Sequence, residues 1–270
     1  MAYWEEIFVW LAVGFYTLSL MLFVFSLVFK KERFKKPAAV VMALAFGFQT
    51  VAIIARWYAT GHIPVMHTYE NSLVGSWSII LTYFVIRFIF PPAQTFAVAV
   101  TPMALLILGN GIMTGGELQP LEPAFRSNWL YIHILVSWFG FSSYVTASAA
   151  GLLYLIRAKS EKGFIGRLPD LKLLEELSLR LILFGLFCHA MGIMSGAIWA
   201  HSLWGRYWGW DPLETWSLIS WLIYGLNLHM RITLGWTGRR AAWLAIVSLL
   251  GVIFSFFGFG HGSSIHTSMF

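Results

Sequence analysis

One cysteine, Cys188, is all that the 270 residues contain. A disulfide within the chain is thereby excluded, and so is a metal site built on cysteine. Charge is also scarce. Only 11% of the residues are Asp, Glu, Lys or Arg, where a soluble domain carries about a quarter. The sequence has no G-x-x-x-x-G-K-[ST] phosphate loop, no G-x-S-x-G and no H-E-x-x-H. It has no internal repeat and no low-complexity tract. Any chemistry must come from histidines, aromatic rings and a few acids.

What fills the chain instead is apolar sequence, 59% of all residues. Runs such as 7–29 and 241–260 are long enough to cross a ~30 Å hydrocarbon core as helices, which takes about 20 residues. The first run is too long for the apolar region of a cleavable signal. It also follows the acidic pair Glu5 and Glu6 and has no small-residue cleavage site after it. The pattern predicts an all-α integral membrane protein with about eight transmembrane helices, at 7–29, 38–58, 70–90, 94–113, 129–156, 177–199, 215–234 and 241–260. Residues 1–270 are expected to form a single polytopic domain, with an outward loop at 199–216 and a cytoplasmic linker at 157–176. Leucines at helical spacing in the second half of that linker suggest a segment lying along the interface. Of the 18 Lys and Arg residues, all but Arg56, Arg126 and Arg206 fall on one side of this arrangement. Positive residues stay cytoplasmic, so both termini are expected to face outward. The net charge of +6 follows from this topology and gives no sign of nucleic-acid binding.

One outward stretch stands apart. In WGRYWGWDPLE (204–214), Trp204, Tyr207, Trp208 and Trp210 crowd together just before Asp211 and Pro212. Asp211, Pro212 and Glu214 have the order of a helix cap: an Asp N-cap, Pro at the first position and an acid three residues on. The rings suit a membrane-interface belt. They suit equally a platform for a large planar ligand, with indole N–H groups and Arg206 reaching its polar edge. Composition alone does not choose between the two. Among the eight histidines, His133 and His261 are placed near the outer ends of the fifth and eighth spans, on the side of the aromatic loop. Two histidines at matching depth suit axial ligation of a haem iron. His229 lies in the cytoplasmic half of the seventh span, where an ionisable residue is a functional candidate. The roles of His62, His67, His189 and Glu70 stay open, with Glu70 near a helix start.

The stretch GAIWAHSLWGRYWGWDPLETWSLISWLIYGLNLHMR (196–231) resembles the tryptophan-rich "WWD" signature of haem-handling proteins of cytochrome c maturation. Its D-P-x-E-T-W and L-H-x-R continuations are similar to the CcsA (ResC) family of the system II pathway. RWYATGHIPVMHTYENSLVGSW (56–77) is similar to a second region of that family. The resemblance implies a subunit of a membrane cytochrome c synthase, a haem lyase complex. Such a subunit carries haem b to the outer face, where it is joined to the C-x-x-C-H cysteines of an apocytochrome. It implies His133 and His261 as outer iron ligands and reacting-site residues together with Asp211. His229 is implied as an inner iron ligand, and Trp204, Trp208, Trp210, Tyr207 and Arg206 as haem contacts. The partners it implies are a CcsB (ResB)-like membrane protein, apocytochrome c and a thiol-reducing system. The expected location is a bacterial plasma membrane, with the thylakoid membrane as the alternative. Arg206 and Arg126 are the outward charges that would face propionates. Rival readings are a haem exporter resembling the CcmC branch, a b-type cytochrome carrying electrons, and a transporter with an aromatic gate.

Overall fold

A backbone in hydrocarbon must satisfy its own N–H and C=O groups, and a continuous helix does so within one segment. The chain follows that rule. The computed structural model describes residues 2–118, 121 and 123–257, and long helices dominate them: α1 (Ala2–Phe29), α2 (Lys35–Thr60), α3 (Thr68–Ile89), α4 (Ala97–Thr114), α5 (Asn128–Arg157), α6 (Leu171–Trp204), α7 (Pro212–Ile232) and α8 (Gly238–Phe257). Short 3-10 turns link some of them, and no strand occurs among the described residues. Six helical stretches, those of α1 to α6, are long and apolar enough to cross a membrane by length and composition. α7 and α8, of 21 and 20 residues, also have the length, and α7 is the more polar of the two. The protein is therefore an all-helical membrane protein. The expectation of eight spans rests, for the last two, on helix length.

The boundaries differ from expectation at α6. Of the leucines expected to lie along the interface, Leu168 precedes α6, and Leu171, Leu173, Leu174 and Leu177 stand in its first turns. Leu174 and Leu177 are 0% and 2% exposed, so burial against neighbouring helices replaces contact with a membrane surface. α6 also continues through Trp204, so the segment joining it to α7 is 205–211. Likewise the segment between α5 and α6 is 158–170.

The helices form two compact units. The first contains α1–α4 and the 159–170 segment. In it, α1 packs on α2 and α4, and α3 on α2 and α4. Val9, Ala52, Leu73 and Leu108 form an apolar core. Gln49, fully buried, accepts from the Tyr16 hydroxyl at 2.7 Å and donates to the Leu73 carbonyl at 2.9 Å and Ser76 Oγ at 2.6 Å. Arg167 fastens the 159–170 segment by donating to the Leu27 carbonyl at 2.9 Å.

The second unit contains α5–α8. α5 and α6 run antiparallel in close contact, because small residues let the backbones approach. A Cβ at Gly192 would stand 2.7 Å from Ser137 Oγ, and one at Gly196 2.8 Å from His133 Nδ1. α7 turns a polar stripe inward at three- and four-residue spacing: Ser220, Tyr224, Asn227 and Arg231, each no more than 7% exposed. That stripe explains why a helix of spanning length has so modest an apolar character. Asn227 donates to Ser248 Oγ of α8 at 2.9 Å, and Arg231 to Ser178 Oγ of α6 at 3.1 Å.

Candidate functional site

The aromatic segment sits between two helix ends whose chemistry fixes it. α6 stops where Gly205 takes φ 68° and donates its N–H to the His201 carbonyl at 3.0 Å. α7 starts at Asp211, whose carboxylate accepts from Leu213 N–H at 2.9 Å in a reciprocal capping box with Glu214. Pro212 follows at the first helical position, where a missing N–H costs nothing. The cap expected from the sequence is present.

The structure sorts the aromatic run into two sets. Trp199 is buried against Trp204, with ring centroids 5.5 Å apart. Trp216 packs edge-on to Phe254 at 4.7 Å, and Trp221 donates its indole N–H to the Leu186 carbonyl at 3.2 Å. Trp216 and Trp221 join α7 to α8 and α6, whereas the Trp199–Trp204 pair lies within α6. The loop itself presents Tyr207 and Trp210, 57% and 70% exposed. Tyr207 stacks on His201 at 4.2 Å and 14°, and Trp208 meets Trp210 edge-on at 5.8 Å. The Arg206 guanidinium lies over Gly209, so close that a Cβ there would be 2.8 Å from its Cζ. Part of the aromatic density thus serves packing, and part faces outward.

His133 is held from behind. Its Nδ1 lies 2.7 Å from the Gly192 carbonyl. A carbonyl only accepts, so Nδ1 carries the hydrogen and Nε2 the lone pair. This back-bonding is the arrangement that orients a histidine for metal ligation. Gly196 leaves room for the ring at van der Waals distance. Gly196 lies eight residues before the end of α6, about 12 Å at 1.5 Å per residue. His133 and the aromatic segment therefore belong to one end of the second unit. His261 lies outside the described residues.

The other histidines divide clearly. His229 is exposed on α7, on the face that also carries Leu222 and Leu226, 54% and 57% exposed. Arg231 points the other way, into the unit. His189 is buried, with Nε2 3.1 Å from Ser217 Oγ and Nδ1 3.5 Å from the Tyr144 hydroxyl. Both ring nitrogens meet neighbouring helices, the pattern of a packing residue. His62 and His67 belong to the first unit. There His62 is 4% exposed, and its Nδ1 lies 3.0 Å from the Ile63 carbonyl.

The first unit also holds a charge cluster that sequence reasoning missed. Arg56 is 1% exposed. Its guanidinium reaches Glu70 at 3.0 Å and Glu5 at 3.7 Å, donates to the Gly116 and Glu117 carbonyls at 2.6 and 2.8 Å, and lies over the Tyr69 ring. The second oxygen of Glu70 accepts from Met66 N–H at 3.0 Å. Glu70 does stand in the first turn of α3, as expected, but its carboxylate serves Arg56 as well. Two further residues escaped the sequence reading: His201, beneath Tyr207, and Gly196, behind His133. The Gly-x-x-x-Gly spacing of Gly192 and Gly196 was the signal available for the latter. Among the described residues no group of three or more His, Cys, Asp or Glu side chains forms a metal site.

Known proteins point in one direction. A family profile described as "Cytochrome C assembly protein" matches residues 3–266. A "Cytochrome c biogenesis protein CcsA" of Synechococcus sp. (strain CC9902) is 32% identical over 92% of this chain and 92% of its own length. One of Chlamydomonas reinhardtii is 33% identical over 81% of this chain and 64% of its own length. Among solved structures, a "Cytochrome c Heme Lyase CcmF" aligns with a TM-score of 0.71 at 19% identity. It covers 96% of this chain, which spans about half of that protein's length.

Proposed function

The chain belongs to the CcsA family of cytochrome c assembly proteins, and on that premise we propose that it is the haem-presenting subunit of a membrane cytochrome c synthase. Its role lies in cytochrome c maturation, and it handles haem within a membrane. In this reading haem reaches the outer end of the second unit. Tyr207, Trp208 and Trp210 flank the porphyrin there, and Arg206 meets a propionate. Trp204 and Asp211 set the ends of the helices that carry this segment. His133 and His261 are the axial ligands, and His229 receives haem on the inner side. The single observation that carries the reading is the seat of His133, whose Nδ1 is engaged by the Gly192 carbonyl at 2.7 Å.

The reaction itself needs little from the protein beyond positioning. Each substrate thiol adds across a haem vinyl group. Sulfur bonds to one vinyl carbon and the thiol hydrogen passes to the other, so no oxidant or reductant is consumed. The cysteines belong to the apocytochrome, which suits a chain whose one cysteine is buried. His133 and His261 would hold the haem iron, and the incoming C-x-x-C-H histidine would take the place of one of them. The exposed position of His229 among leucines supports a membrane partner of the CcsB type that supplies the opposing inner ligand. A lone imidazole facing lipid is otherwise costly.

The test is a reduced absorption spectrum of the protein, purified from haem-replete bacterial membranes with a CcsB-type partner. Wild type is expected to show a b-type spectrum that falls by more than half in His133→Ala/His261→Ala. An unchanged spectrum would exclude these ligands. Coexpressed apocytochrome c should acquire haem that survives acid extraction. Haem bound but never attached would make the protein an exporter.

A further inference from the structure

Trp210 has a backbone conformation that its side chain disfavours. Its φ is 56°, in the left-handed region. A bulky residue there is a strained outlier. The ring gains little burial in return, since Trp210 is 70% exposed. Something else must hold it.

The holder is Glu214. One oxygen of its carboxylate, Oε2, accepts from Gly209 N–H at 2.7 Å and from Asp211 N–H at 3.2 Å. These are the two amides on either side of Trp210. A capping box requires only the second bond. The first reaches back two residues further and closes the backbone around Trp210, as a clamp of one anion on two flanking donors. Charge-assisted bonds of this kind are stronger than neutral ones. The clamp is fixed in turn, because Glu214 stands in the first turn of α7 and Asp211 caps that helix.

We propose that Glu214 is a positioning residue that forces Trp210 into its strained backbone and so displays the indole outward as a preset stacking surface for the porphyrin. The proposal rests on the haem-presenting reading above. Glu214 acts through Trp210 and does not itself touch haem. A strained and solvated aromatic is already in its binding posture, so no ordering of the loop is needed when the ligand arrives.

Two double-mutant cycles test it, both with the full chain in detergent or nanodiscs. The first uses haem titration under reductant with wild type, Glu214→Ala, Trp210→Gly and the double variant. Each single change is expected to weaken haem binding about three- to tenfold, the range a lost aromatic contact supplies. The double variant should be no weaker than Trp210→Gly alone. Glu214→Gln, which keeps an acceptor oxygen, should restore affinity to within about twofold of wild type. If Glu214→Ala costs the same factor with and without Trp210, Glu214 is only a helix cap and the proposal is overturned. The second cycle measures thermal midpoints without haem. Trp210→Gly should raise the midpoint by about 2–4 °C when Glu214 is present and leave it unchanged in Glu214→Ala. A rise of equal size in both backgrounds would overturn the clamp. Failure of wild type to bind haem, or binding indifferent to His133→Ala, would overturn the haem-site reading and the display of Trp210 with it. The thermal cycle would still decide the clamp.

Discussion

The most exacting contact of the second unit is between a ring and a missing side chain. A Cβ at Gly196 would come within 2.8 Å of His133 Nδ1 and 3.0 Å of Cε1. Neither atom can yield without breaking the bond to the Gly192 carbonyl. Gly196→Ala should therefore turn the imidazole and weaken haem binding about tenfold or more while leaving the helix itself slightly favoured, since Ala exceeds Gly in helix propensity by about 1 kcal/mol. The haem spectrum and the thermal midpoint, measured together, check this opposite movement. Tyr224 poses the reverse case. It is fully buried and stacks on Tyr144 at 3.5 Å, yet among the described residues its hydroxyl has no hydrogen-bond partner. An unpaired buried hydroxyl costs about 1–3 kcal/mol. Tyr224→Phe keeps the stack and removes the hydroxyl, so it should raise the thermal midpoint. A fall would mean that a water satisfies the group.

Helices carry the information that the sequence displays best, and they also set its limits. The apolar runs located α1 to α5 within a few residues, because a hydrocarbon solvent leaves the backbone little alternative. The cap at Asp211, Pro212 and Glu214 was legible because its bonds are local, two to three residues apart. The start of α6 was not. Leu171, Leu174 and Leu177 have the same spacing whether a helix lies on a membrane or packs against other helices, and only the neighbours decide. The clamp on Gly209 was likewise invisible, since a backbone amide has no signature in the sequence. Asp211→Ala isolates the local element: it removes the cap on Leu213 N–H and should cost about 1 kcal/mol of stability. The midpoint should fall by a few degrees, with helix content otherwise kept in circular dichroism.

Across the whole chain, a count of charges says little about energetics. Arg56 reads in sequence as one of three outward positive residues, a deviation from the cytoplasmic majority. In the structure it is a buried cation between Glu70 and Glu5. Partners contributed by α1 and α3 lie too far along the chain for spacing to reveal them. Removing it as Arg56→Ala strands two buried carboxylates, a change worth about 3–5 kcal/mol. The protein should fail to accumulate in membranes, and Glu5→Gln introduced alongside should restore part of the yield. Immunoblotting of isolated membranes measures both. Glu70→Ala should be worse than Glu5→Ala, because Glu70 also accepts from Met66 N–H.

The same cation sets a sequence of events during synthesis. When α1 and α2 have left the ribosome, Arg56 has only Glu5 to meet, at a distance of 3.7 Å in the finished fold. Its shorter bonds, to Glu70 and to the carbonyls of Gly116 and Glu117, wait for α3 and then for the far end of α4. A nascent hairpin of the first two helices thus carries, near the end of α2, a guanidinium that still lacks most of its final partners. Arg56 has all of these partners only when the chain has been made as far as Glu117. Chains that stall earlier leave Arg56 short of those partners, so the buried cation ties completion of α1 and α2 to the synthesis of α3 and of the segment after α4.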